Sequence, residues 1–266
     1  MSALAHIQPG GDEYLEFCGG VAALTGIDLT QYKRGQMERR IRSYVDRQPA
    51  TTLQGFLKLM ERDKSSLDGF LDRVTINVSE LYRNPEQYDV LRTKVLPELK
   101  GPGTLKIWSA GCSYGAEAYT LACLVAETLP GQRFEITGSD IDRRIVERAQ
   151  RGRFSQADMR NVPPSVRAKY FKPDGDGWLA TDALRKHLRF RVEDLLHARY
   201  PTGLDLVLCR NVVIYFNDAA RNHVHSGIAG ALRTGGYFMV GATERVGDPA
   251  GIGLQTAYPF IYRKAG

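Results

Sequence analysis

Cysteine is scarce in this 266-residue chain: four residues, at positions 18, 112, 123 and 209, with no C-x-x-C pair. That is too few and too scattered for a disulfide framework, and reduced thiols of this kind fit a cytoplasmic protein. No charge-free run of about 18 apolar residues occurs, so no segment is expected to enter a membrane. The opening MSALAHIQPGGDEY has neither a basic stretch nor a long apolar core, which argues against a secretory signal. Histidine is sparse too. His6, His187 and His197 lack partners at ligand spacing, and His223 and His225, two apart on a helix, face different sides. No metal site is therefore expected. Repeats and low-complexity tracts are absent.

What is present is ordinary globular composition, 43% hydrophobic and 25% charged. Charge is unevenly spread: residues 1–90 carry a net −2, and residues 91–266 a net +8. A basic C-terminal part suits nucleic acid, an acidic protein surface or an anionic small molecule, and charge alone does not choose.

Apolar spacing predicts helices first. One begins at Asp12 and stops at Gly26. Another, over 31–47, puts Met37, Ile41, Tyr44 and Val45 on one face, with Arg39, Arg40, Arg42 and Arg47 on the solvent arc. Further segments begin at Thr52 and Ser66. After a connector at 75–84, Asn84-Pro85 opens a helix to about Leu99. Beyond the GPGT turn the pattern becomes strand–helix alternation. The strands are LKIWS (105–109), FEITGS (134–139), DLVLC (205–209) and GYFMVG (236–241), separated by helices at 116–129, 142–151 and 218–232. Buried runs alternating with helices imply a parallel sheet covered on both faces. Between them, 153–199 holds a DGDGW turn and LRFRV, which suggests an inserted antiparallel hairpin.

The densest local signal is KIWSAGCSYGAEAYTLA. Gly111, Ser113 and Gly115 allow a ligand close to backbone at a helix N-terminus. Asp140, at the end of the next strand, is placed to accept both hydroxyls of a ribose. The same loop fits G-x-S-x-G, the nucleophile elbow of α/β-hydrolases, but follows the first strand and has no late histidine to complete a triad. Cys112, beside a helix N-terminus, is the candidate reactive thiol. Polar residues where core is expected add Asn77, Ser79 and Arg83 in the connector, Glu193 and Asp194 after LRFRV, and Arg210, Asn211 and Tyr215 after DLVLC. In an open parallel sheet, Asp140, Asp194, Arg210 and Asn211 share the carboxyl edge where ligands bind.

These residues carry a resemblance. TGIDLTQYKRGQMERRI, DRVTINVSELYRN, LKIWSAGCSYGAEAYTLA, ITGSDID, LVLCRNVVIYF and GGYFMVGATE resemble, in order, the chemotaxis receptor glutamate methyltransferase family. The resemblance implies an α/β, Rossmann-like class I methyltransferase sheet domain with a small antiparallel β-subdomain, preceded by an all-helical N-terminal domain. The implied boundaries are 1–76 for the helical, receptor-recognising domain, 77–92 for a linker contributing to the cofactor site, and 93–266 for the catalytic domain, with the β-subdomain at about 172–192. It implies S-adenosylmethionine as cofactor, S-adenosylhomocysteine as product and no metal. The cofactor set carried over is Asn77, Ser79, Arg83, Gly111, Glu117, Asp140, Asp194, Leu195, Arg210 and Asn211, with Arg83 and Tyr215 at the transferred methyl. Gly115-Ala116-Glu117-Ala118 keeps only the second glutamate of the family's G-E-E-P. Asp194 replaces an asparagine, so the Leu195 N–H must serve the adenine ring nitrogen.

The implied partner is the helical cytoplasmic region of chemoreceptors, met by Arg39, Arg40, Arg42 and Arg47. A receptor C-terminal tail at the β-subdomain stays open. A nucleic-acid substrate is disfavoured because the basic residues lack interleaved aromatics. A same-fold methyltransferase with another substrate, or a non-catalytic scaffold binding cofactor and receptor, are the alternatives.

Overall fold

The computed structural model describes residues 11–75 and 77–266. His6 lies outside the described residues. Contacts divide the chain into two units. One takes the N-terminal helices with residues 215–220; the other takes 77–214 and 221–266.

The helical unit contains α1 (Glu13–Thr25), α2 (Arg34–Val45), α3 (Leu53–Arg62) and α4 (Lys64–Thr75). The starts of α1, α3 and α4 are capped by side chains. The Asp12 carboxylate accepts the Tyr14 N–H (3.1 Å), and the Thr52 hydroxyl accepts the Gly55 N–H (3.1 Å). Asp63 accepts from Ser65 and Ser66, so α4 begins at Lys64 rather than at Ser66. The core is aromatic, with Phe17–Phe70 at 5.8 Å, Phe56–Phe70 at 6.0 Å and Tyr44–Phe56 at 5.7 Å between ring centroids.

In the second unit, residues 77–84 are irregular and Asn84, in the left-handed region (φ 59°), leads into α5 (Pro85–Val90). A π turn (Leu91–Val95) and α6 (Leu96–Leu99) continue it. Then come β1 (Leu105–Ala110), α7 (Ala116–Thr128), β2 (Phe134–Asp140) and α8 (Arg143–Arg151). They are followed by β3 (Arg153–Ser155), α9 (Pro164–Tyr170), β4 (Phe171–Asp174), β5 (Gly177–Ala180), α10 (Asp182–Arg185) and β6 (Leu188–Val192). The chain closes with β7 (Leu204–Cys209), α11 (Asp218–Ala231), β8 (Leu232–Val240), β9 (Leu254–Tyr258) and β10 (Ile261–Lys264).

The main sheet has the order β6-β2-β1-β7-β8-β10-β9, parallel from β6 to β8 and closed by antiparallel β10 and β9. The strand order reverses between β1 and β7, which makes their carboxyl ends the expected ligand position. Central β1 and β7 are the apolar runs read from sequence. Ala116 through Val125 of α7 are all buried, as a helix inside the unit requires.

The small sheet is β3-β5-β4, all antiparallel. It occupies 153–180 rather than the expected 172–192, because LRFRV belongs to the main sheet as edge strand β6. Gly138 explains the placement: a Cβ there would lie 2.6 Å from the Phe190 ring, so the missing side chain makes the slot that seats β6. The terminal β9–β10 hairpin was not read from the sequence; its polar, irregular composition hides the strand period. Phe56, fully buried among Tyr44 and Phe70, should be the keystone of the helical core. Phe56→Ala is expected to cost about 3–5 kcal/mol. The readout is the circular-dichroism midpoint in urea, since Trp108 and Trp178 both lie in the other unit.

Candidate functional site

The carboxyl edge of the main sheet gathers three linked clusters. The first surrounds Asp140. Its carboxylate accepts the Ser113 N–H (2.8 Å) from the glycine loop and the Asp142 N–H (3.1 Å) from the start of α8. Asn77 closes the ring, donating to Asp142 (3.2 Å) and accepting from the Ser113 hydroxyl (3.4 Å). Burial raises the Asp140 carboxyl above the ordinary aspartate value, against the pull of these N–H donors. The Ser113 hydroxyl thus faces an amide, as a polar spacer rather than a nucleophile. Cys112 is buried and its thiol is pushed well up by desolvation, so it is not the reactive thiol considered above.

Gly111 is glycine for two reasons, its φ of +73° and a Val212 methyl that would lie 2.4 Å from a Cβ. The Ser79 carbonyl meets the Tyr114 hydroxyl, which also donates to Asp158 (2.8 Å).

The second cluster is built on Arg210, which is only 7% exposed at the end of β7. One terminal nitrogen donates to the Tyr88 hydroxyl (2.9 Å) and to Glu117 (3.3 Å). The other reaches the Arg83 carbonyl (2.9 Å), the Asn84 side chain (3.2 Å) and Gln87 (2.6 Å). Glu117, on the first turn of α7, also accepts the Ser109 hydroxyl (2.7 Å). Burial raises its carboxyl, while Arg210 is the largest opposing influence. The Arg83 guanidinium donates to the Val78 carbonyl (3.0 Å).

The third cluster was missed from sequence. Glu244, in the GATE segment, is buried and accepts the N–H groups of Asn211 and Gly241, both at 2.7 Å. Asn211 sits at φ 60°, so Glu244 braces a left-handed turn directly after Arg210. The only available signal was a lone acid following a buried apolar strand.

At the end of β6, the Glu193 N–H bonds the Asp140 carbonyl (2.9 Å), bringing the Asp194-Leu195 turn alongside. Asp194 accepts the Leu196 N–H (2.9 Å) and pairs with His197 (2.7 Å). Leu195 is buried and its carbonyl accepts the Tyr200 hydroxyl (2.6 Å).

In the helical unit, the Tyr215 carbonyl accepts the Lys33 N–H (2.8 Å) and its ring lies under Arg40 (5.5 Å). The α2 arginines are not equivalent. Arg42 is tied to Glu38 (3.0 Å) and Glu13 (3.2 Å), and Arg47 makes a long contact to Ser43 (3.5 Å). Arg39 is exposed, with no acidic partner within 4.0 Å among the described residues.

Two family models match in succession, "CheR methyltransferase, all-alpha domain" over residues 12–75 and "CheR methyltransferase, SAM binding domain" over 77–252. The chain belongs to the CheR methyltransferase family. A chemotaxis protein methyltransferase of Listeria innocua is 37% identical over 95% of this chain and 97% of its own. That of Borreliella burgdorferi is 26% identical over 90% and 89%, and chemotaxis protein methyltransferase 1 of Pseudomonas aeruginosa 30% over 84% and 86%.

The chemistry of the rim suits the S-adenosylmethionine of a CheR enzyme. Asp140 and Glu117 are carboxylates, able to accept from hydroxyl or ammonium donors, and Leu195 is an apolar side chain near the same edge. No helix among the described residues is long and apolar enough to cross a membrane. Gly111→Ala should destabilise the protein by more than ~1 kcal/mol. Gly101→Ala, where a Cβ meets nothing within 4 Å, is the control, with a melting temperature equal to or slightly above that of the native protein.

Proposed function

We propose that this CheR-family chain transfers the methyl group of S-adenosylmethionine to glutamate side chains in the helical cytoplasmic region of bacterial chemoreceptors, forming methyl esters. What supports the reading most is the chain-long match to the two CheR models, together with Asp140 and Glu117 at one sheet edge. The cofactor, when bound, supplies an electrophilic methyl on a sulfonium. The acceptor glutamate is already ionised at neutral pH, with a free pKa near ~4.3. An ionised carboxylate would take that methyl without any proton being removed, so the protein needs to supply no general base. The protein's task is then alignment.

In this reading Asp140 holds the ribose hydroxyls, and Glu117 receives the cofactor amino group. Asp194 and the Leu195 N–H meet the adenine. Arg210 and Asn211 shape the wall, with Asn77, Ser79 and Gly111 in the cradle. Arg83 and Tyr215 orient the acceptor and methyl. Arg83→Lys and Tyr215→Phe should therefore lower turnover more than cofactor affinity. Receptor docking falls to Arg39, Arg40 and Arg47, since Arg42 is engaged by Glu38 and Glu13. Such a surface acts through encounter rate and fades as the Debye length shortens toward ~8 Å.

Asp140→Ala should weaken S-adenosylhomocysteine binding at least tenfold in a calorimetric titration. Acidification should do the same to the native protein. As pH falls through the raised Asp140 pKa, the acceptor gains a proton and affinity drops, beginning above the usual aspartate range. The decisive assay is radiolabelled methyl transfer to receptor-containing membranes. Base-labile methyl esters on receptor glutamates are expected; their absence under cofactor saturation would refute the reading.

A further inference from the structure

The net +8 of residues 91–266 has a focus away from the site described above. Residues 185–191 carry Arg185, Lys186, His187, Arg189 and Arg191 and no acid. Of these, Arg185, Lys186 and Arg189 line a cleft of about 500 Å³ between the end of α8, α10 and edge strand β6, with Gln150, Asp182 and Phe190 among its other walls.

The edge strand has a distinctive polarity. In its parallel pairing, residues 187, 189, 191 and 193 turn their backbone groups toward β2, as the Ile136–His187 and Glu193–Asp140 bonds show. Leu188, Phe190 and Val192 therefore turn theirs outward. The two outward carbonyls nearest the cleft are already engaged, Leu188 by Arg189 (2.9 Å) and Phe190 by Gln150 (3.5 Å). An incoming strand would find these acceptors taken. What the edge offers is donors: outward N–H groups, the exposed Lys186 ammonium and the remaining guanidinium nitrogens of Arg189.

Asp182 compensates only Arg185, at 3.4 Å. The half-buried Phe190 ring, stacked at 25° on Tyr119, adds an aromatic surface.

We propose that this cleft binds an organic phosphate of the nucleoside di- or triphosphate class. Its donors converge from a helix end and a strand edge on one small volume, which suits a compact, multiply charged group. Glutamates on one face of an extended peptide would sit roughly 7 Å apart, each with a single charge. The phosphates meet Lys186, Arg185 and Arg189, and the base meets the Phe190 ring. The site is independent of the proposed methyl transfer.

The test is calorimetric titration of ATP into the full chain saturated with S-adenosylhomocysteine, so that the adenosine cannot enter the cofactor site. One ATP per chain is expected, weakened at least tenfold in Lys186→Ala/Arg189→Ala and weakened by added salt. Unchanged S-adenosylhomocysteine affinity in the double variant shows that it is folded. Absence of ATP binding, equal affinity in the variant, or binding of a glutamate-rich peptide in place of ATP would overturn the proposal. Failure of S-adenosylhomocysteine to bind would be a failure of the cofactor reading, and comparing ATP titrations of the two proteins would still decide this cleft.

Discussion

The guanidinium of Arg210 is buried at the carboxyl end of a central strand, and most of what it touches belongs to the segment entering from residue 83 onward. A charge in such a place is tolerated only if it is paired and its donors are used. Glu117 pairs it, while Tyr88, Gln87, Asn84 and the Arg83 carbonyl take the other hydrogen bonds. The consequence is organisational. The irregular stretch before α5 is fastened to β7 and α7, so the wall that carries Arg83 stays in place without a ligand to order it. Removing one partner of a buried pair typically costs ~3–5 kcal/mol, so the wall is held against large fluctuations.

A second constraint is steric. Gly111 and Gly138 are both positions where a Cβ would strike a neighbour, Val212 in one case and Phe190 in the other. The first fixes the loop beside Asp140, and the second seats the edge strand whose end carries Asp194 and Leu195. Backbone approach and sheet assembly are thus set by the same kind of omission. The chemistry ascribed to the site asks for little else, because an ionised carboxylate attacking a sulfonium methyl needs orientation more than proton transfer.

Long periodic elements were legible in the sequence: the α1 stop at Gly26, the apolar β1 and β7, and helix α7 with its buried run. Asp140, Asp194, Arg210 and Asn211 stood out by their place at the carboxyl edge of the sheet, and the family resemblance added Glu117, Leu195 and the order of the two units. Less legible were features set by distant partners. LRFRV reads as half of a hairpin until Gly138 is seen to accept Phe190. Glu244 is an unremarkable acid until its carboxylate is found on the N–H groups of Asn211 and Gly241. Arg42 belongs to a solvent arc by helical geometry, yet its charge is taken by Glu13 from another helix. In each case the deciding contact is long-range, and periodicity carries only local information.

Arg210 pre-forms the wall of the site. Hydrogen–deuterium exchange on ligand-free Arg210→Lys addresses this directly, since lysine keeps the charge and loses the planar fork. Faster exchange is predicted across residues 81–88, with protection in β1 and β2 retained. Unchanged protection of 81–88 in a variant that has lost those hydrogen bonds would contradict it.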